Sequence, residues 1–373
     1  MFVLKLQKIL SNINMNHKRK HFHTLDAIRF FSFLLVLLLH IPHEKSSIIS
    51  FFSKSGGIGV SFFFVLSGFL ITYIILFEKK NYGFLSLKKF FIRRILRIWP
   101  LFYAMILFAY LTPYILNLLK ISSSNDGYEP NLLTSLLFLE NYKMMITNSF
   151  PNTSPLRVMW SLCIEEHFYI IWAIILKFIP SKKTPILIFV SIIIANISRF
   201  VYNFYDLNTI DIFTNIDYFA FGAIPAYIVI LKESLLRKIK KISLMFKYFF
   251  TVTTISLIFL IPNIDSGNTN HLLPTIFGFL FSTVLLFTLP STNFVHINDK
   301  YWFSKLGKYT YGLYLFHTII INLILQAESM FPFKTNWLTL TSLTLVISTI
   351  TSVLSFHLFE KQFLKLKRNF NKK

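Results

Sequence analysis

Apolar runs of about 17–22 residues recur along the whole chain, separated by short breaks rich in Lys and Arg. Ten runs stand out, at 25–41, 58–77, 98–119, 160–176, 184–204, 216–231, 248–262, 271–290, 309–325 and 336–357. About 20 apolar residues cross a bilayer as a helix. Backbone groups in lipid must be bonded internally, so only helices or closed barrels span it. These runs are too long and too uniformly apolar for barrel strands. The pattern therefore predicts an all-α fold, a polytopic transmembrane bundle of about ten spans.

The breaks set an orientation. Residues 1–24, 78–97, 177–183, 232–247, 291–308 and 358–373 carry 30 of the 38 Lys and Arg residues. The alternate side carries seven, counting Arg199 in the fifth run, and Arg29 lies inside the first span. Cytoplasmic loops hold the excess of positive charge, so both termini are expected in the cytoplasm. Residues 1–24 form a basic cytoplasmic tail, 25–357 the membrane domain and 358–373 a second basic cytoplasmic tail. The tail at 1–24 lacks the order of a cleaved signal peptide, so the first span is read as an uncleaved anchor. No soluble domain is expected at either end. The longest outer connection, 120–159, contains the loop signals Asn125-Asp126-Gly127 and Pro151–Pro155. Within it, Leu132–Leu139 is expected as a short interfacial helix.

Composition agrees with the pattern. Only 14% of residues are charged and 54% are hydrophobic, against about 25% charged in soluble domains. The formal net charge of +22 would suggest nucleic acid in a soluble protein. Here it reports topology and anionic headgroups, so membrane lipids and not nucleic acid are the expected partner. Cys163 is the one cysteine, which excludes an intrachain disulfide and a cysteine cluster for zinc; no metal is expected.

Charges inside spans are costly and so become functional candidates. The first span holds Asp26, Arg29 and His40. At 100° per residue, Arg29 and His40 share a face about 16 Å apart along the axis. Asp26 is three residues before Arg29, within pairing reach. Such a face should line the bundle interior, although an interfacial anchor pair with His40 at the rim is the plainer alternative. The fourth span opens Trp160-Ser161-Leu162-Cys163-Ile164-Glu165-Glu166-His167. Glu165 and Glu166 point about 100° apart, so one of them is expected to face and orient His40. A helix cap would account for one glutamate but less well for two. In the second cytoplasmic break, Arg93, Arg94 and Arg97 are dense guanidinium groups suited to phosphate, beside the simpler reading of positive-inside topology. Tyr311 and His317 put a hydroxyl and an imidazole in the ninth span. His357 and Glu360 read as anchors.

Taken together these segments resemble the acyltransferase-3 family of integral membrane acyltransferases. Leu25-Asp26-Ala27-Ile28-Arg29-Phe30 through His40 is similar to the family's L-D-G-x-R opening with its R-x10-H arrangement. Gly59-Val60-Ser61-Phe62-Phe63-Phe64-Val65-Leu66-Ser67-Gly68-Phe69-Leu70, Arg94-Ile95-Leu96-Arg97-Ile98-Trp99-Pro100 and Trp160 to Tyr169 resemble three further motifs. Tyr311 to His317 and Phe359-Glu360-Lys361 follow in the family's order. Ala27 and Gln362 stand where the family has Gly and Pro. Asn215-Ile216-Asp217 stands where it has R-x-D, ahead of Gly222.

The resemblance implies transfer of an acyl group, most often acetyl, from cytoplasmic acetyl-CoA to a hydroxyl of an extracytoplasmic or lipid-linked glycan. It implies a multi-pass protein of the bacterial cytoplasmic membrane. His40, Arg29, Asp26, Glu165 and Glu166 are then the catalytic candidates, with His40 as general base or transient acyl carrier. Arg93, Arg94 and Arg97 would hold the CoA phosphates. Trp160, Ser161, Tyr311, His317 and Asp217 would meet substrate. Two other classes remain open: a transporter or flippase for lipid-linked oligosaccharide, and a non-catalytic partner in polysaccharide assembly. Oligomeric state is left open.

Overall fold

A computed structural model describes residues 20–43, 48–118, 126–264, 271–289 and 297–370. Most of the basic N-terminal tail, Asn125 and residues 371–373 lie outside the described residues. The described helices are α1 (Thr24–His40), α2 (Ile48–Ser53), α3 (Gly56–Tyr82), α4 (Leu87–Leu118), α5 (Leu132–Leu136), α6 (Glu140–Thr147) and α7 (Ser154–Arg157). They continue with α8 (Trp160–Phe178), α9 (Thr184–Phe204), α10 (Ile212–Leu231), α11 (Glu233–Lys241) and α12 (Leu244–Leu260). The last are α13 (Leu273–Thr288), α14 (Trp302–Gly307), α15 (Thr310–Met330), α16 (Trp337–Ser355) and α17 (Lys361–Leu366). No strand occurs among the described residues beyond one isolated bridge between Tyr128 and Pro151.

Each of the ten predicted apolar runs coincides with one long helix: α1, α3, α4, α8, α9, α10, α12, α13, α15 and α16. Seven of these helical segments are long and apolar enough to cross a membrane. The other three are α1 with 17 residues, α13 with 16, and α8, whose 19 residues include Glu165, Glu166 and His167.

Burial separates a centre from a rim. In α10, 72% of the apolar window is buried, and in the segment containing α3, 67%; in the segment containing α12 it is 17%. The outward face of α12 carries Phe246, Phe249, Val252 and Ile255, all exposed at helical spacing. An apolar helix with an apolar outer face suits a lipid environment. The α3–α10 contact is close because two glycines face each other's backbone. A Cβ at Gly68 would sit 2.1 Å from the Phe219 carbonyl oxygen, and one at Gly222 would sit 2.0 Å from that of Val65. Small residues at such a crossing let membrane helices pack backbone to backbone. Beside it the rings of Phe64, Phe219 and Phe168 stack in sequence, at 4.8 and 4.1 Å between centroids.

The basic breaks also do structural work. Lys79 Nζ, near the end of α3, donates to the carbonyls of Leu176 and Ile179 at the end of α8, both at 2.6 Å. Lys80 Nζ donates to Ile230 O at the end of α10 at 2.7 Å. The two lysines cap carbonyls that have no intrahelical partner, at helix ends that favour positive charge. The ends of α3, α8 and α10 therefore lie together.

The 126–159 connection folds around a buried carboxylate. Glu140 accepts from Tyr128 OH, Ser135 Oγ and Thr134 Oγ1. Burial and this carboxylate push the Tyr128 phenol well above its ordinary value. Asn131 caps α5 by accepting from the Leu133 and Thr134 amides. The helix stops at Leu136, earlier than the predicted 132–139, because Phe138 turns to φ 58°. That left-handed backbone is unfavourable for a side-chain-bearing residue. The Phe138 ring stacks on Phe102 at 4.1 Å, which offsets the cost.

Candidate functional site

Six helices converge on one cavity. Its volume is about 130 Å³, room for ordered water or a slender chain. Arg29 enters from α1, Ser67 from α3, Arg94 and Arg97 from α4, and Ser161, Glu165 and Tyr169 from α8. Gly307 at the end of α14, Lys308, and Thr310, Tyr311 and Tyr314 of α15 close the opposite wall. Phe63, Phe64, Leu70, Ile71, Ile98 and Leu162 supply apolar surface. The sequence ranges far apart in the chain, 29 to 314, meet here because α1, α3 and α15 pack around the same axis.

Its electrostatics favour an anion. Arg29 donates to Asp26 Oδ1 at 2.7 Å, so that pair is internally balanced. Glu165 accepts from Ser67 Oγ at 2.7 Å and from Tyr169 OH at 2.9 Å. The Arg94 guanidinium lies 5.8 Å from the Tyr169 ring centroid and 5.9 Å from that of Phe90. Arg97 makes no hydrogen bond or ion pair with a described residue, and it stays accessible while lining the cavity. With Lys308, the wall holds more cations than carboxylates. An unpaired guanidinium beside a second one is arranged for bidentate binding of a phosphate or carboxylate.

At the far end, Ser161 Oγ and Tyr314 OH are hydrogen-bonded at 2.7 Å, one donating to the other, and both lie within hydrogen-bond reach of the Val158 carbonyl, which accepts from the hydroxyl whose proton is left. Tyr314 links the cavity to a histidine pair. His317 Nδ1 donates to Tyr314 O at 2.8 Å. His317 Nε2 lies 3.3 Å from His40 Nδ1, and the two rings meet edge to face with centroids 4.9 Å apart. His40 Nδ1 also donates to Val36 O at 2.8 Å. A carbonyl only accepts, so both Nδ1 atoms carry the proton in the neutral rings. His317 Nε2 then offers its lone pair to the His40 N–H, and His40 Nε2 is left with its own lone pair.

Neither glutamate is a hydrogen-bond partner of His40 among the described residues; the group beside His40 Nδ1 is the His317 ring. Glu165 faces the cavity, whereas Glu166 accepts from Trp99 Nε1 at 3.3 Å on another side of α8. The 100° between consecutive helical residues separates them. Two further candidates are engaged elsewhere. Arg93 is buried against Glu78, at 2.5 Å, and not in the cavity. Asp217 is fully buried and gripped by Arg199 through both carboxylate oxygens, at 3.0 and 2.8 Å. Arg199, from α9, stands in for the arginine absent at position 215. Trp160 is half-buried at the start of α8, its ring 6.4 Å from that of Phe64. Tyr311 lines the cavity and donates to Ile98 O at 2.8 Å.

Ser67, Tyr169, Tyr314 and Lys308 were not singled out from the sequence. The first three sit inside the motif segments, where an aromatic or serine among apolar residues reads as packing. Lys308 reads as one more topology charge.

A match to the acyltransferase domain covers residues 22–357. The chain belongs to the acyltransferase-3 family. Among its relatives, the peptidoglycan O-acetyltransferase OatA of Listeria monocytogenes is 34% identical over 180 residues, 45% of this chain and 26% of that protein. A Staphylococcus aureus protein named "putative O-acetyltransferase" is 27% identical over 332 residues, 82% of this chain and 52% of its own length. The chain thus spans about half the length of the Staphylococcus relative and a quarter of the Listeria one. No solved structure matches it.

Proposed function

We propose that the protein is a membrane O-acyltransferase that carries an acyl group, acetyl in the first instance, from acyl-CoA to a hydroxyl of a glycan on the opposite side of the membrane. The observation that carries this reading is the unpaired Arg97 beside Arg94 in a cavity whose far wall, Tyr314, is hydrogen-bonded to the His317–His40 pair. CoA offers phosphates for the arginines and a thin thioester arm for the cavity. All ten long helices would span the bilayer, with both termini cytoplasmic, so that the arginines face the inner leaflet and His40 the outer mouth. The protein would sit in the bacterial cytoplasmic membrane. The name of the Listeria relative makes peptidoglycan the first acceptor to test.

In the transfer, the acceptor oxygen attacks the thioester carbonyl carbon, and the C–S bond breaks. His40 Nε2 takes the hydroxyl proton and returns it to the departing thiolate. His40 can alternatively accept the acyl group first and pass it on. Arg29, fixed by Asp26, and Glu165, fixed by Ser67 and Tyr169, shape the passage. The thioester end must pass the Ser161–Tyr314 hydrogen bond to reach His40, which makes that contact the narrow point of the route.

The test uses membranes containing the protein, supplied with labelled acetyl-CoA and peptidoglycan fragments. Label should enter the glycan with the wild-type chain. His40→Ala should lose transfer while the protein stays in the membrane at normal level. Near-normal transfer by His40→Ala would remove the assignment.

A further inference from the structure

On the side of the molecule where α1 begins, two histidines and an aspartate from opposite ends of the chain converge. His21 and His23 precede α1, and Asp299 precedes α14. His21 Nε2 and His23 Nδ1 both donate to Asp299 Oδ2, at 2.9 and 2.6 Å. The two rings meet edge to face at 4.6 Å. One nitrogen of each ring and one carboxylate oxygen all lie within 4.8 Å of one another. The second carboxylate oxygen, Oδ1, is shielded from solvent and has no hydrogen-bond partner. A shielded carboxylate oxygen without a partner is costly, and a cation held by the same carboxylate would lower that cost.

We propose that His21, His23 and Asp299 form a binding site for a divalent transition-metal ion of the zinc class. The ligand set decides the class. Two imidazoles and one carboxylate suit zinc and its neighbours, while calcium and magnesium prefer all-oxygen sites. Ligand atoms at about 2.0–2.2 Å from zinc stand roughly 3.4 Å apart in a tetrahedron. The present contacts would open by about 0.5–0.8 Å, which exposed side chains permit: His21 is 60% and His23 45% exposed. Each histidine presents its facing nitrogen unprotonated by moving its proton to the other ring nitrogen. Water completes the coordination, since three protein ligands leave a position open.

The site ties together the two segments that lead to Arg29 and Gly307 in the cavity wall. His23 is three residues before Asp26, the partner of Arg29. Asp299 is eight residues before Gly307, which packs on Asp26 so closely that a Cβ there would lie 1.8 Å from the Asp26 carbonyl oxygen. A further tie runs alongside, from the Ile297 amide to Thr24 Oγ1 at 3.1 Å. A bound ion would clamp the start of α1 to the segment leading into α14. This inference does not depend on the proposed reaction.

The experiment uses untagged full-length chain in detergent, dialysed against zinc ion alone. One zinc per chain should bind to the wild type and raise its unfolding temperature. Asp299→Asn and the double variant His21→Ala, His23→Ala should weaken zinc binding roughly tenfold or more and abolish the zinc-dependent rise. Asp299→His, which keeps a ligand but loses the carboxylate hydrogen bonds, should retain zinc. His357→Ala, remote from the cluster, should behave as wild type. Absence of stoichiometric zinc on the wild type would overturn the proposal, and so would equal binding by the double variant.

Discussion

Arg93 and Arg97 occupy the same basic segment and carry the same charge, yet the structure predicts opposite consequences for removing them. Arg93 is buried against Glu78, with each side chain 7% exposed. Truncation of Arg93 to Ala leaves a carboxylate buried without its cation, a change worth about 3–5 kcal/mol of stability. Arg97 makes no hydrogen bond or ion pair with a described residue, so Arg97→Ala should leave stability within about 0.5 kcal/mol. What Arg97→Ala loses is a charge-assisted contact to the donor, about 1.5–3 kcal/mol. That corresponds to roughly a 10- to 150-fold rise in the KM for acetyl-CoA. The assay pairs thermal unfolding in detergent with initial transfer rates across a range of acetyl-CoA concentration. Arg93→Ala should unfold early, and what survives should keep a near-normal KM. Arg97→Ala should unfold as wild type with a raised KM. The reasoning fails if Arg97→Ala unfolds as early as Arg93→Ala, or if its KM for acetyl-CoA does not change.

Other outcomes follow from the same geometry. His317→Phe keeps a ring against His40 but removes the acceptor that faces its Nδ1–H; kcat should fall by about 10²-fold, less than in His40→Ala, with the KM for acetyl-CoA unchanged. Gly222→Ala drives a Cβ into the Val65 carbonyl and should cost about 1–3 kcal/mol, read as a lower unfolding temperature in detergent.

The helical frame was written in the hydropathy pattern. Each long apolar run became a helix, because the bilayer length and the need to bond every backbone group leave few alternatives. Shared helix faces were equally legible: Asp26 pairs with Arg29 three residues on, as the spacing requires. Local breaks were less so. The end of α5 turns on Phe138 adopting a left-handed backbone to stack on Phe102, a contact with a different helix that no local signal announces.

What the sequence by itself determined was therefore the helices, the alternation of charge between them and the family motifs, all properties of neighbouring residues. Which arginine lines the cavity and which is buried against a carboxylate was decided by tertiary structure alone. Arg93, Arg94 and Arg97 look alike in a row, and the approach of Glu78 holds the first away from the cavity that the other two line. Likewise His40 acquires His317, and not a glutamate, from a helix 277 residues away. His21 and His23 meet Asp299 across a similar distance along the chain. Pairing of this kind depends on how whole helices pack, a sum over many apolar contacts that no short window of residues contains.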